Sequence, residues 1–203
     1  MLVIAASPDG EVALRLDREF REMQRRMRES EYRDSIQFEW RPAARMSDVV
    51  QMLNEVQPDV VHLSAHGNHH GVVLENAEGT AKTLRNDQLA RLLATMSDRI
   101  RLIIFNSCLS SEQAELACNF VEAAVGMESS ILDEAAKVFA GQFYNSLGFG
   151  KSLHVSFEQA RLHTNLEVGE DSGAPRLYTA DGVDARDLFL VAAPRAAEKS
   201  PPP

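Results

Sequence analysis

Cysteine is scarce in this chain, and long apolar runs are missing from it. The 203 residues include only two cysteines, Cys108 and Cys118, which are too few for a disulfide framework and are typical of a reducing compartment. No stretch approaches the ~20 apolar residues that a membrane-spanning helix needs. The apolar run at 1–7 has no basic segment before it, so we expect no signal peptide. These absences predict a soluble protein of the cytoplasm.

Basic residues are also fewer than acidic residues in this chain. The chain has 21 Lys and Arg residues against 30 Asp and Glu residues, a formal net charge of −9 at pH 7. A protein that binds the phosphate backbone of nucleic acids without regard to sequence needs a basic face. We therefore expect no nucleic-acid partner, and no membrane partner. Only four of the basic residues are lysine, a bias typical of a GC-rich, bacterial genome.

The length and composition predict one globular domain. At roughly 100–200 residues per domain, 203 residues with 44% hydrophobic and 25% charged content leave room for one core. We assign residues 1–191 to this domain. Residues 192–203 are rich in Ala and Pro and end in three prolines, so we expect a disordered tail there.

Apolar patterns alternate along the chain between short runs and helical stripes. The runs at 2–6, 60–63 and 100–105 predict buried strands, and residues 16, 20, 23 and 27 recur at the spacing of an amphipathic helix. Further predicted elements are a half-exposed strand at 36–40, a hairpin at 72–84, a strand at 121–127, helices at 48–56, 87–96, 110–118, 133–147 and 152–166, and a polar loop at 167–175. Strands that alternate with helices predict an α/β fold with a mostly parallel central sheet and helices on both faces.

Two reactive side chains follow two of the predicted strands. His66 comes after the strand at 60–63, and Cys108 comes after the strand at 100–105. Because functional groups gather beyond the carboxyl ends of parallel strands, both are expected in one cleft. A thiol attacks as the thiolate and needs an imidazole or a helix N-terminus nearby. Gly67 permits close backbone approach, and its N–H together with that of Cys108 is suited to hold an oxyanion.

Other interpretations of these residues stay open at this point. A cysteine after a buried strand is often an apolar filler, and packing is the expected role of Cys118 on its helix. His62, His66, His69 and His70 form a local cluster that a structural metal site would use. A single strand does not bring these four imidazoles to one point, however, so we expect no metal and no other cofactor.

The segments HLSAHG, from His62 to Gly67, and IIFNSC, from Ile103 to Cys108, resemble the His and Cys blocks of caspase-like, clan CD cysteine peptidases. More closely, the chain resembles a CHAT domain, the caspase-related family that includes separase. The likeness extends through VGMESSILDEAAKVFAGQFYNSLGFGKS and covers about 2–191. It implies the caspase-like three-layer sandwich, with the mostly parallel sheet between two helical layers.

The resemblance also implies roles for individual residues. Cys108 becomes the nucleophile and His66 the general acid and base, while the N–H groups of Gly67 and Cys108 become the oxyanion hole. No third residue to orient His66 is evident. Asp133 matches the aspartate that binds a basic P1 side chain in separase-like relatives, although Asp is also a common helix N-cap. Asn106 is at a second substrate-binding position, where many arginine- or lysine-specific relatives carry aspartate.

We therefore expect a cysteine endopeptidase that cleaves protein or peptide substrates through a His-Cys dyad. The resemblance implies control by a regulatory or sensor protein in trans, in a conflict or regulated-death pathway. One alternative is a catalytically silent caspase-like interaction module. A flavodoxin-like or receiver-type signalling domain is a further alternative, but it needs acidic residues clustered after the first strand, where only Asp9 and Glu11 lie.

Overall fold

The strands of the protein come from nearly the whole length of the chain. In the computed structural model, which describes residues 1–96, 98–169 and 174–191, the strands are β1 (Leu2–Ala5), β2 (Glu39–Arg41), β3 (Val60–Ser64), β4 (His66–Asn68), β5 (Gly71–Glu75), β6 (Ala81–Arg85), β7 (Leu102–Asn106), β8 (Ala123–Met127) and β9 (Pro175–Thr179). The helices are α1 (Leu16–Arg28), α2 (Val49–Val56), α3 (Asn86–Ala94), α4 (Ser111–Ala117), α5 (Asp133–Gly148) and α6 (Leu153–Val168), with a 3-10 turn at Met46–Asp48.

The central sheet has the strand order β2-β1-β3-β7-β8-β9. All neighbouring pairs in it are parallel except β8 and β9, which run antiparallel. Strands β3 and β7 are adjacent at the centre, and their last pair joins Ser64 to Asn106. The carboxyl ends of these two strands therefore lie side by side at one edge of the sheet.

Two hydrophobic cores cover the two faces of this sheet. Along β7, Ile103 and Phe105 enter one core and Leu102 and Ile104 enter the other, because side chains alternate between the faces of a strand. The first core is completed by apolar residues of α2, α3 and α4, and the second by those of α1, α5 and α6. The predicted α/β class, with a mostly parallel sheet between two helical layers, is confirmed.

A separate three-stranded antiparallel sheet, β4-β5-β6, leaves the central sheet after β3. It contains the predicted hairpin at 72–84 and adds a short strand, β4, which the sequence pattern did not indicate. Only Ala65 separates β3 from β4, so His66 and Gly67 belong to the second sheet although they follow the first directly. This change of sheet turns the chain over the carboxyl edge of β7.

Some predicted boundaries were wrong. The strand expected at 36–40 is reduced to β2, while Ile36 and Phe38 pack at the border of the second core. Helix α6 continues to Val168, inside the predicted polar loop at 167–175, whose residues 170–173 are not among those described. Strand β9 was not predicted. The expected tail at 192–203 lies outside the described residues.

Within residues 1–96, 98–169 and 174–191, no helix combines the length and the apolar composition needed to cross a bilayer.

Candidate active site

A narrow cleft lies at the carboxyl edge of β3 and β7, and it contains both residues of the predicted dyad. His66 of β4 and Cys108 of the loop after β7 line it together with Asn106 and Asp133. The remaining lining residues are Leu14, Arg15, Leu16, Glu19, Ala65, Ser107, Ile131 and Ala136. Its volume is about 30 Å³, which is close to the volume of one water molecule in the liquid.

The imidazole of His66 is oriented by a backbone carbonyl. Its Nε2 lies 2.7 Å from the carbonyl oxygen of Val12. Because a carbonyl oxygen only accepts hydrogen bonds, Nε2 carries the proton and donates it. In the neutral imidazole, Nδ1 is then the nitrogen left to accept a proton. The Val12 carbonyl thus orients the His66 ring, a contact for which the sequence offers no candidate.

The loop that carries Val12 connects β1 to α1 and is tied down at several points. The hydroxyl Oγ of Ser7 accepts a hydrogen bond from the N–H of Leu14 at 3.1 Å, which closes the loop on itself. The N–H of Asp9 donates to the carbonyl of Gly79 at 2.9 Å and fixes the loop to the turn between β5 and β6. These contacts hold the Val12 carbonyl in place although the Val12 side chain is exposed.

The loop that carries Cys108 is held by hydrogen bonds of the buried Ser110. Its Oγ donates to the carbonyl oxygens of Ser107 at 2.7 Å and Phe105 at 3.0 Å, and it accepts from the N–H of Met127 at 3.0 Å. Within this loop Leu109 adopts a positive φ of 51°, an unusual conformation for a side chain of that size. The half-buried Cys108 has its Sγ 4.0 Å from the carbonyl oxygen of Ile131, inside the cleft.

Gly67 brings β4 into direct contact with the loop that carries Cys108. A Cβ at this position would lie 2.7 Å from the carbonyl oxygen of Cys108 and 3.0 Å from both Cβ and Oγ of Ser107. Such distances leave no room for any side chain. Glycine is therefore required here because two backbone segments, one from each half of the predicted dyad, touch.

Asp133 lies at the exposed rim of the cleft. It is the first residue of α5, and the N-cap residue is Leu132, so the N-cap role considered for Asp133 is wrong. Its Oδ2 instead accepts a hydrogen bond from the N–H of Arg15, at 3.2 Å, just before α1. The carboxylate thus joins the starts of α1 and α5 beside the dyad.

Beneath the cleft lies a buried polar cluster, formed by Glu19, His62, Ser64, Asn106 and Tyr144. Oε1 of Glu19 accepts hydrogen bonds from Ser64 Oγ at 2.5 Å, His62 Nε2 at 2.8 Å and Asn106 Nδ2 at 2.9 Å. His62 Nδ1 lies 3.0 Å from the hydroxyl of Tyr144. Of these residues, Glu19 and Asn106 also line the cleft.

Glu19 stays ionised in this environment. Burial by itself would raise the pKa of Glu19, but hydrogen bonds from His62, Ser64 and Asn106, with the attraction to His62, outweigh it. The pKa of Glu19 therefore lies below its ordinary value. Burial, and to a lesser extent the charge of Glu19, raise the pKa of Tyr144, so its hydroxyl keeps its proton.

Sequence reasoning missed Glu19, although a signal was present. Glu19 lies one turn after Leu16 and one turn before Met23, within the apolar stripe of α1. A carboxylate on the buried face of an amphipathic helix has to find partners there. Val12 had no such signal, because its contribution is a backbone carbonyl that any residue type would supply.

The histidine cluster does not form a metal site. His62 is buried among the polar cluster, His66 donates to Val12, and His69 lies beside Glu112 with Nδ1 and Oε1 3.2 Å apart. Among the residues that the structure describes, no group of three or more His, Cys, Asp or Glu side chains is placed to hold a metal ion. Cys118 lies at the end of α4 against the first core, where burial raises the pKa of its thiol to about 11.

Comparison with known sequences matches most of the chain to one family. The CHAT domain family model covers residues 3–176. A Roc-COR-CHAT protease from an unknown prokaryotic organism is 25% identical over 171 residues, which cover 79% of this chain and 16% of that protein. A probable protease from Gillisia limnaea is 20% identical over 158 residues, or 75% of this chain and 28% of that protein. The chain thus spans well under a third of either relative.

Solved structures share the fold at low sequence identity. The Arg-specific cysteine proteinase gingipain R has a TM-score of 0.58 at 11% identity, covering 86% of this chain and 44% of its own. An inactive zymogen of a C11 protease from Parabacteroides distasonis has a TM-score of 0.55 at 13% identity, with 89% and 61% covered. A secreted C11 cysteine protease from Bacteroides thetaiotaomicron, bound to an irreversible peptide inhibitor, has a TM-score of 0.52 at 14% identity, with 79% and 57% covered.

Proposed function

Because the chain belongs to the CHAT domain family, we propose that it is a cysteine endopeptidase that hydrolyses protein substrates through Cys108 and His66. The observation that carries this proposal is the cleft that both side chains line, with the Nε2–H of His66 engaged by the Val12 carbonyl. That hydrogen bond leaves Nδ1 of the neutral ring to accept the thiol proton. The caspase-like fold supports the same reaction class.

The proposed reaction has two stages. The Cys108 thiol gives its proton to His66, and the sulfur attacks the peptide carbonyl carbon. The oxyanion that forms is held by the N–H groups of Gly67 and Cys108, and its collapse breaks the C–N bond while His66 returns the proton to the leaving amine. Water then attacks the thioester carbonyl carbon while His66 accepts a proton from it. The C–S bond breaks, His66 gives that proton to the Cys108 sulfur to restore the thiol, and the acid product leaves as a carboxylate after losing its proton to solvent.

We also propose that a regulatory or sensor protein acts on this domain in trans, in a conflict or regulated-death pathway. A cleft of about 30 Å³ is too narrow for most P1 side chains, so a partner that widens it would switch the peptidase on. The same narrowness favours the second candidate function, a catalytically silent interaction module. A cytoplasmic location and a bacterial source stay predictions.

An electrophilic peptide probe separates the two candidate functions. We expect the probe to form one covalent adduct per chain, at Cys108, as located by mass spectrometry of the digested protein. Cys118 has a thiol pKa of about 11 and is expected to stay unlabelled at neutral pH. Labelling should vanish in Cys108→Ala and persist in Cys118→Ala. A folded wild-type protein that no peptide electrophile labels at Cys108, with or without a cell extract to supply an activator, would support the silent module instead.

The loop that presents Val12 offers a milder test of the same mechanism. Ser7→Ala removes the hydrogen bond to the Leu14 N–H, so the Val12 carbonyl is held less firmly against His66. We expect kcat to fall roughly fivefold, the equivalent of about 1 kcal/mol for one neutral hydrogen bond, with KM unchanged. Ser47→Ala, which removes an exposed contact to Asp48, is the control and should leave kcat unchanged. An unaltered kcat in Ser7→Ala would argue against the role of this loop.

A further inference from the structure

The strand that carries His66 has no sheet partner on the side of Cys108. Within the described residues, β4 pairs only with β5, whereas β3 and β7 are joined as parallel neighbours along their whole length. The close approach of Gly67 to the Cys108 carbonyl sets how near the two segments come. A van der Waals contact of this kind gives little resistance to separation. The distance between the two reactive side chains therefore depends on a further contact that holds β4 in place.

Gln113 of α4 provides such a contact. The residue is 0% exposed, and its Nε2 donates to the carbonyl oxygen of Asn68, at the end of β4, at 3.0 Å. Asn68 is the second residue after His66 on the same strand, and α4 begins shortly after Cys108. One side-chain amide thus joins the strand of the proposed base to the helix that follows the proposed nucleophile.

The other amide proton of Gln113 is bound by Asn86, the first residue of α3. Oδ1 of Asn86 accepts a hydrogen bond from Nε2 of Gln113 at 2.8 Å. Asn86 in turn donates from Nδ2 to the carbonyl oxygen of His69 at 2.9 Å, and from its backbone N–H to the carbonyl oxygen of His70 at 3.1 Å. These bonds close a ring between the turn after β4, α3 and α4, so the amide of Gln113 is itself fixed in position.

The neighbours of the Gln113 amide determine its orientation. The carbonyl oxygen of Asn68 only accepts hydrogen bonds, and Asn86 presents Oδ1 because its Nδ2 is engaged by His69. Nε2 of Gln113 therefore faces both partners, and its Oε1 is left buried without a hydrogen bond among the described residues. Because an unpartnered buried oxygen is costly, an apolar side chain of the same length would remove that cost together with the tether.

A second contact between the same two elements is exposed to solvent. Nδ1 of His69 lies 3.2 Å from Oε1 of Glu112, but the two side chains are 60% and 57% exposed. Exposed pairs contribute little, since water and salt screen them. Gln113 does not line the cleft, so its effect on the reaction has to pass through the strand that it holds.

We propose that Gln113 is a positioning residue of the peptidase, which sets the distance between His66 and Cys108 by tethering β4 to α4. This inference rests on the proposed function and adds one residue to its machinery. The Val12 carbonyl determines how the imidazole is turned, whereas Gln113 determines where the strand that carries it lies. A displacement of about 1 Å in a catalytic group costs about 10²-fold in rate, so the loss of one tether is enough to slow the reaction strongly.

Gln113→Met tests the tether, because methionine has nearly the length of glutamine but no N–H group. We expect kcat for a peptide substrate, and the rate at which an electrophilic peptide probe labels Cys108, to fall about 10- to 100-fold, and KM to change by less than about twofold. Asn145→Leu is the matched control. Nδ2 of Asn145 donates to the carbonyl oxygen of Arg26 at 2.8 Å, between α5 and α1 and outside the cleft, so kcat should stay at the wild-type value.

A double-mutant cycle with His66→Ala separates positioning from general destabilisation. Since Gln113 acts through His66, Gln113→Met should change the labelling rate of Cys108 by less than about twofold when residue 66 is already alanine. An equal fall in both backgrounds would show that Gln113 has only a structural role and would overturn the inference. A wild-type kcat in folded Gln113→Met would overturn it as well.

Asn86→Ala provides a result even if Gln113→Met does not fold. This change removes the other acceptor of Gln113 at a half-buried position, and kcat should fall about two- to tenfold, the equivalent of one neutral hydrogen bond. An unchanged kcat in this variant contradicts the inference. The wild-type protein tests the proposed function separately. If the probe does not label Cys108 there, the peptidase function itself is contradicted, whereas equal labelling of the wild type and Gln113→Met contradicts only the role of Gln113.

Discussion

Replacing His66 with alanine is expected to lower kcat/KM for a peptide substrate by about 10³-fold, since general acid–base catalysis contributes roughly 10²- to 10⁴-fold. The variant loses both the acceptor of the thiol proton and the donor to the leaving amine. The side chain is half-buried at the start of β4 and donates a hydrogen bond to the Val12 carbonyl at the edge of the sheet, so little of the core depends on it. Steady-state kinetics and the free energy of unfolding, measured together, check this expectation.

His69→Ala is the matched control for His66→Ala. His69 lies three residues further along the same hairpin, is exposed, and its Nδ1 lies 3.2 Å from Oε1 of Glu112, outside the cleft. It should keep wild-type kcat/KM. Retention of more than about a tenth of the activity in His66→Ala would be incompatible with a dyad, because a remaining solvent base does not replace a positioned imidazole so well.

Gly67→Ala is expected to disable the site through geometry rather than chemistry. The added methyl carbon would lie 2.7 Å from the Cys108 carbonyl oxygen, so β4 and the nucleophile loop have to move apart. A displacement of about 1 Å in a catalytic group costs about 10²-fold in rate. Overpacking of this kind typically costs about 1–3 kcal/mol of stability as well. We therefore expect kcat/KM per folded molecule to fall by about 10²-fold or more.

The control for Gly67→Ala is a glycine whose added Cβ meets side chains instead of backbone. At Gly141 of α5 the nearest atom would be Cγ of Glu22, at 2.8 Å, outside the cleft. Gly141→Ala should alter the urea midpoint without changing kcat/KM per folded molecule. Wild-type activity in Gly67→Ala, at a concentration of folded protein determined by the unfolding curve, would contradict the close approach of the two loops.

The placement of His66 and Cys108 in one cleft could be anticipated from the chain alone. Both residues follow apolar runs that fold as neighbouring parallel strands, and the carboxyl ends of such strands share one edge. The helices were predicted for a similar reason, because an apolar stripe with a period near 3.6 residues has few other ways to be buried. The short strands β4 and β9 were not predicted. Their pairing depends on residues that are distant along the chain, and a local sequence pattern does not include those residues.

The residues at the base of the cleft could not be predicted together, because they meet only when the helices pack on the sheet. Ser64 and Asn106 could be placed together once β3 and β7 were known to be neighbours, but only the docking of α1 on that face brings Glu19 to them. The hydrogen bond from Asn106 to the Ala136 carbonyl needs α5 in place as well. The sequence has only a neutral residue, Asn106, two positions before Cys108, whereas the folded chain brings a carboxylate to it from 87 residues away.

Local patterns in the amino-acid sequence thus determine the layers of this protein and the strand ends at which His66 and Cys108 lie, because burial of periodic apolar residues depends on near neighbours. The orientation of His66 and the charge beneath the cleft were determined by tertiary contacts. The Val12 carbonyl has no side-chain signature, and Glu19 acquires its role from three partners on two strands. Hydrogen bonds act over a few ångströms in space, whatever the separation along the chain, and so these features become visible only when the helical layers are packed on the sheet.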